Sequence, residues 1–246
     1  MTTSDCFKYE FFGNGNSYLL NIFTNKNTIN SILPFGVHIN GGVSTCVTKC
    51  GHSLNNCDNI QIENVINYGK ILVMIPKSKD SELILNYDAR NENANSDGSG
   101  TYKLKFICFT CPSTIKIGDI DSDMQSYLVY TNDQGLYTVL CTLYRNNQPY
   151  DNLSNKLLSG MINNNIPEIG RSTTGSSLGV NTINISDFFP QDKQDYYEFV
   201  NVEKNSNEKK NNILVKVFAK KLNISSSAIN NLREKLYDSR SNCKFV

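Results

Sequence analysis

Two stretches decide how this sequence folds: Gly100-Thr101-Tyr102-Lys103-Leu104-Lys105-Phe106-Ile107-Cys108-Phe109-Thr110-Cys111 and Tyr127-Leu128-Val129-Tyr130-Thr131-Asn132. β-Branched and aromatic residues dominate both, and each apolar run is too short for a buried helix, so both read as strands. Period-two alternation then puts Cys108 and Thr110 on one face of the first strand and Phe109 on the other. Working outward, similar runs recur at Tyr18–Phe23, Ile71–Ile75, Leu83–Leu85, Leu136–Tyr144 and Ile213–Phe218. The polar segment Asn91–Gly100 (NENANSDGSG) reads as a loop between two of them. Two segments carry helical spacing. Tyr150–Asn164 aligns Leu153, Leu157, Leu158 and Met161, with Asp151 as a cap; Ser225–Tyr237 starts on three serines and aligns Ile229, Leu232 and Leu236. With no repeat and no linker, residues 1–246 read as a single, mainly β domain with its helices late in the chain.

At 246 residues and 27.7 kDa the chain is long enough to bury a sizeable core. The net charge of +1 excludes a histone-like, nucleic-acid-coating protein. Asn supplies 35 residues, and with many Ile and Lys this is the bias of an AT-rich genome rather than a chemical signature. Only His38 and His52 are present, so no site of three histidines can form. The start, MTTSDCFKYEFF, lacks the basic and apolar regions of a secretory signal, and no run approaches the roughly 18 apolar residues of a membrane span. The eight cysteines are therefore expected to be free thiols.

From Asn67 onward the order of features is similar to that of the α-carbonic anhydrases. Asn67-Tyr68-Gly69-Lys70 resembles their N-N-G-H turn, and Gly100–Leu104 their G-x-Y-R-L strand start. Tyr127–Asn132 resembles H-L-V-H-W-N, and Gly135–Leu140 the strand that follows it. Phe188-Phe189-Pro190 with Asp195-Tyr196-Tyr197 resembles L-L-P…D-Y-W, and Val217–Leu236 the closing I-S-x-x-Q-L-x-x-F-R-x-L. The helix expected over 150–164 falls where the family has one. The likeness is clearest over residues 60–237. Before residue 60 only Leu33–Ile39 resembles the family's S-P-I-N-I. The resemblance implies a large, twisted, mostly antiparallel central sheet with a few peripheral helices.

It also implies where a zinc ion would sit, and there the residues differ. The family holds zinc with two histidines of an F-H-F-H-W strand and the first histidine of H-L-V-H-W-N, leaving a fourth position for a water whose pKa the metal lowers. A gapless reading puts Cys108, Thr110 and Tyr127 at those three positions. The L-T-T-P-P turn falls in Glu203–Asn211 (EKNSNEKKN), which has no Thr-Thr-Pro-Pro, and G-S-E-H between the ligand strands is missing from a shorter connection. The expectation is a degenerate member with no catalytic residues, no metal and no cofactor: a binding or structural protein that is not an enzyme.

Other constellations are weaker. Cys46, Cys50, His52 and Cys57 have zinc-ligand chemistry but an unfamiliar spacing, and whether they bind metal or form disulfides stays open. Cys108-Phe109-Thr110-Cys111 is a C-x-x-C within a strand, not at a helix start, which favours a structural role. Asp119, Asp121 and Asp123 lack the Gly and distal Glu of an EF-hand loop. Residues 200–246 carry ten basic and four acidic groups, a balance of +6 against −5 for the rest. Lys204, Lys209, Lys210, Lys220 and Lys221 are the candidate contacts for a polyanion such as a sulfated glycan; a protein partner is the other reading. The composition suggests a large DNA virus or an AT-rich protist, with a virion component as one placement and cytoplasm as the other. The competing functional readings are an enzyme with an altered metal site built around Cys108 and Cys111, and an unrelated β-rich capsid or scaffold protein.

Overall fold

The two stretches that carry the sequence reading form neighbouring strands at the centre of a large sheet. The computed structural model describes residues 37–39, 47–49, 52–55, 58–69, 71–77, 81–85, 100–113, 115–117, 122–147, 166–179, 181–190, 195–201 and 213–236. Along the chain the strands are β1 (Val37–Ile39), β2 (Val47–Lys49), β3 (His52–Asn55), β4 (Ile60–Asn67), β5 (Leu72–Pro76), β6 (Glu82–Leu85), β7 (Gly100–Thr110) and β8 (Ile115–Ile117). They continue with β9 (Met124–Thr131), β10 (Tyr137–Asn146), β11 (Ser172–Thr174), β12 (Thr182–Ile183), β13 (Asp195–Asn201), β14 (Ile213–Phe218) and β15 (Leu222–Ile224). One α-helix, α1 (Ser226–Lys235), and two short 3-10 turns complete the described elements.

Thirteen strands join in one sheet with the order β11-β4-β5-β7-β9-β10-β14-β13-β2, and β3, β6, β12 and β15 attach to its sides. Pairing within it is antiparallel except where β14 and β15 run parallel to β10. β1 and β8 form a separate parallel pair. The expected large, mostly antiparallel central sheet is therefore what the chain builds.

Strands β9 and β10, and β7 from Phe106 onward, are buried on both faces over most of their length, which explains their nearly continuous apolar sequences there. One face carries the main hydrophobic core: Leu72, Met74, Leu104, Ile107, Phe109, Leu128, Tyr130, Leu140, Leu214 and Phe218 pack there. Phe109 meets Phe188 with ring centroids 5.9 Å apart, and Phe189 meets Phe218 at 5.0 Å. Helix α1 closes this side with Ala228, Ile229 and Leu232. Ser225 caps it, its side chain accepting from the Ala228 amide as the run of serines predicts.

Strand β4 is missing from the sequence reading. Its residues IQIENVIN alternate between buried and open positions with Gln, Glu and Asn on the open ones, so no apolar run marks it. The expected strand at 18–23, the loop over 91–99 and the helix over 150–164 lie outside the described residues.

Candidate functional site

The face of the sheet opposite the main core is set by register. β7 and β9 run antiparallel with Cys108 directly opposite Tyr127 and Thr110 opposite Gln125. Residues opposite one another in an antiparallel pair point to the same side. Continuing across the sheet, Val73 stands opposite Cys108, Cys141 opposite Tyr127, and Val217 opposite Cys141. Val73, Cys108, Tyr127, Cys141 and Val217 thus form one row. Thr110, Gln125 and Leu143 form the next, and Phe106, Val129, Val139 and Val215 the row on the other side. All are buried. The three positions that the resemblance assigns to zinc ligands therefore do share one face.

A hydrogen-bonded chain runs through that face. Ser113 Oγ lies 2.8 Å from Gln125 Oε1, and Gln125 Nε2 donates to the Tyr127 hydroxyl. Ser113 is itself held in the turn after β7, where its Oγ accepts from the Ile115 amide at 3.0 Å. Thr110 Oγ1 is buried with no hydrogen-bond partner. Burial pushes the Cys108 thiol well above its ordinary pKa, and does the same at Cys141. Burial thus disfavours at both the thiolate that a nucleophile requires. In the turn after β4, burial and then the Cys108 thiol push the hydroxyl of half-buried Tyr68 above its ordinary pKa.

Zinc is the cofactor that this arrangement brings to mind, and the residues do not fit it. Zinc is held by Cys, His or carboxylate donors in tetrahedral geometry. Here a hydroxyl and a phenol occupy two of the three positions, which leaves the Cys108 thiol as the one ordinary zinc donor among them. Among the described residues no group of three His, Cys, Asp or Glu could hold an ion. Cys141 does not complete a pair with Cys108: Tyr127 separates them by two strand spacings, about 9–10 Å, and both are free thiols.

The altered metal site built on Cys108 and Cys111 is overturned. Cys111 packs in the main core, with its Sγ 3.3 Å from the Asp123 carbonyl and 3.9 Å from that of Ile229 in α1. The C-x-x-C is thus split between the two sides of the sheet. Asp123 is structural, its Oδ2 accepting from the Asn146 amide at 2.8 Å. His52 lies in β3; Cys46, Cys50, Cys57, Asp119 and Asp121 lie outside the described residues.

The basic C-terminal segment divides. Lys220 is exposed and Lys221 half-buried in the turn between β14 and β15, while Lys204, Lys209 and Lys210 lie outside the described residues. Lys216, counted in the basic excess, is buried: its Nζ donates to the Tyr196 hydroxyl at 3.0 Å and stands 4.6 Å from that ring's centroid. Sequence reasoning missed Gln125, Ser113 and Cys141. Alternation along Met124–Thr131 already put Gln125 on the face of Tyr127; Cys141 needed the register between β9 and β10.

No family model matches the sequence, and no curated protein matches it. Solved structures do. The α-carbonic anhydrase of Photobacterium profundum superposes with a TM-score of 0.61 at 17% identity, over 92% of this chain and 88% of that one. The fungal enzyme of Aspergillus oryzae gives 0.63 at 14% identity, over 85% and 79%. That of Thermovibrio ammonificans gives 0.62 at 16%, over 90% and 84%. These neighbours correct one expectation: the chain was read as not an enzyme, yet the solved structures that share its fold include carbonic anhydrases, which are enzymes. By register, buried face and superposition alike, this chain has the α-carbonic anhydrase fold, in a form without the zinc histidines.

Proposed function

We propose that residues 1–246 form one carbonic-anhydrase-like domain whose altered site does not run the zinc-hydroxide hydration of CO2 and which engages a partner at that site or at its surface. The observation that carries this reading is that Cys108, Thr110 and Tyr127, which the resemblance assigns to the three ligand positions, share one buried face, with the Tyr127 hydroxyl tied to Gln125. Any reaction on this scaffold runs on residues other than a zinc triad. Stopped-flow CO2 hydration with added zinc tests the proposal. The expected rate is that of buffer alone; zinc-dependent turnover that disappears in Cys108→Ala overturns it.

The partner reading rests on the positive C-terminal balance, with Lys220 exposed at the β14–β15 turn. A polyanion held by exposed lysines is bound by Coulomb attraction screened beyond about 8–10 Å at physiological salt. The protein is then retained on heparin, released by added salt, and retained less as Lys220→Glu/Lys221→Glu. Equal retention of the charge-reversed protein removes these two lysines from the reading.

A further inference from the structure

Arg145 joins the basic C-terminal end in space although it lies well before it in sequence. It is exposed near the end of β10, where its Nε donates to Asn223 Oδ1 at 2.9 Å. β10 and β15 run parallel, with Arg145 opposite Asn223 and Tyr144 opposite Leu222. Lys220 and Lys221 directly precede Leu222, so the turn between β14 and β15 brings both lysines beside the end of β10. A neutral amide orients the Arg145 guanidinium without cancelling its charge, whereas a carboxylate in the same place would do both. The acid that precedes β9, Asp123, turns its Oδ2 to the Asn146 amide at 2.8 Å. Cations from two separate segments thus meet at one corner of the sheet.

We infer that Arg145, Lys220 and Lys221 form one recognition corner for the acidic ester groups, sulfate or phosphate, of an anionic glycan, with Arg145 as its oriented member. A guanidinium fork can make two parallel hydrogen bonds to such an oxyanion, where an ammonium acts as a point charge. The surroundings select a sugar. Ser226 Oγ lies 3.0 Å from Asn146 Oδ1, which sets the start of α1 beside the end of β10, and both residues are exposed. Their amide and hydroxyl groups are donors and acceptors suited to sugar hydroxyls. A single-stranded nucleic acid would call instead for exposed aromatic side chains on which bases stack. Among the described residues the one large hydrophobic side chain that is exposed is Ile169, which is no such platform.

The inference rests on the polyanion reading above, and the choice of variants separates the two. Affinity for immobilised heparin and for immobilised phosphomannan is measured at physiological salt for the unaltered protein, Arg145→Gln, Arg145→Lys and Lys220→Glu/Lys221→Glu. Arg145→Gln should bind the preferred surface about two- to fivefold more weakly, the scale of one exposed charged contact. Arg145→Lys keeps the charge but loses the fork, so it too should bind more weakly than the unaltered protein. The stronger of the two surfaces identifies the ester as sulfate or phosphate. Unchanged affinity in Arg145→Gln overturns the inference; the polyanion reading survives that result if Lys220→Glu/Lys221→Glu still binds weakly. No binding of the unaltered protein to either surface overturns both. Release by duplex DNA as readily as by the soluble glycan overturns the assignment to a glycan.

Discussion

The Tyr127 hydroxyl offers the sharpest perturbation, because removing one oxygen tests the whole hydrogen-bonded chain. Tyr127→Phe preserves the ring, buried in the row between Cys108 and Cys141, and deletes the group that accepts from Gln125 Nε2. Gln125 is fully buried, so its amide loses an acceptor that bulk solvent cannot replace. Such an orphan costs about 1–3 kcal/mol, whereas removing both partners together costs less. Gln125→Leu alone strands the Tyr127 hydroxyl and takes the acceptor 2.8 Å from Ser113 Oγ, so it falls in the same range. The double variant should therefore destabilise by less than the sum, with a coupling of at least about 0.5 kcal/mol. Urea denaturation of the four proteins, followed by circular dichroism, measures all terms; each kcal/mol moves the melting temperature by about 2–4 °C in a chain of this length. A neutral Tyr127→Phe, or strictly additive losses, refutes the claim that these two side chains organise the face.

Two further outcomes follow from polar groups elsewhere. Asn67 is buried, its Nδ2 donates to the carbonyls of Pro167 at 2.8 Å and Lys235 at 2.9 Å, and its Oδ1 accepts from the Gly69 amide at 2.8 Å. Asn67→Ala strands all three partners and should cost at least about 2 kcal/mol; an unchanged urea midpoint contradicts this. Asp187 has its carboxyl held above the ordinary 3.8, first by burial and then by the neighbouring Asp58. A raised acid favours folding while it is protonated, so its contribution is present below 3.8 and is lost as pH rises through the higher folded value. Asp187→Asn should therefore raise the melting temperature at pH 7 and leave it unchanged near pH 3; the reverse pattern contradicts the sign.

The central strands were legible because both their faces are buried, which writes them as long apolar runs. The helix Ser226–Lys235 was legible from its serine cap and its Ile229 and Leu232 stripe. Strand β4 was not, because one of its sides is open and filled with Gln61, Glu63 and Asn64. The site was half legible. Alternation and the family motifs put Cys108, Thr110 and Tyr127 together, but not the link from Tyr127 through Gln125 to Ser113. That link depends on how side chains reach across a strand and around a turn, which spacing alone does not encode. The charge count misled at Lys216, since a lysine reads as surface until its ammonium is found beside Tyr196 in the interior.

The central claim, that a phenol and a hydroxyl have replaced imidazoles on this face, is tested most directly by metal stoichiometry. The protein is dialysed against zinc and weighed intact by native mass spectrometry, with Cys108→Ala and Tyr127→Phe beside it. The account predicts no stoichiometric zinc on any of the three. One zinc per chain on the unaltered protein, lost in Cys108→Ala, would contradict it.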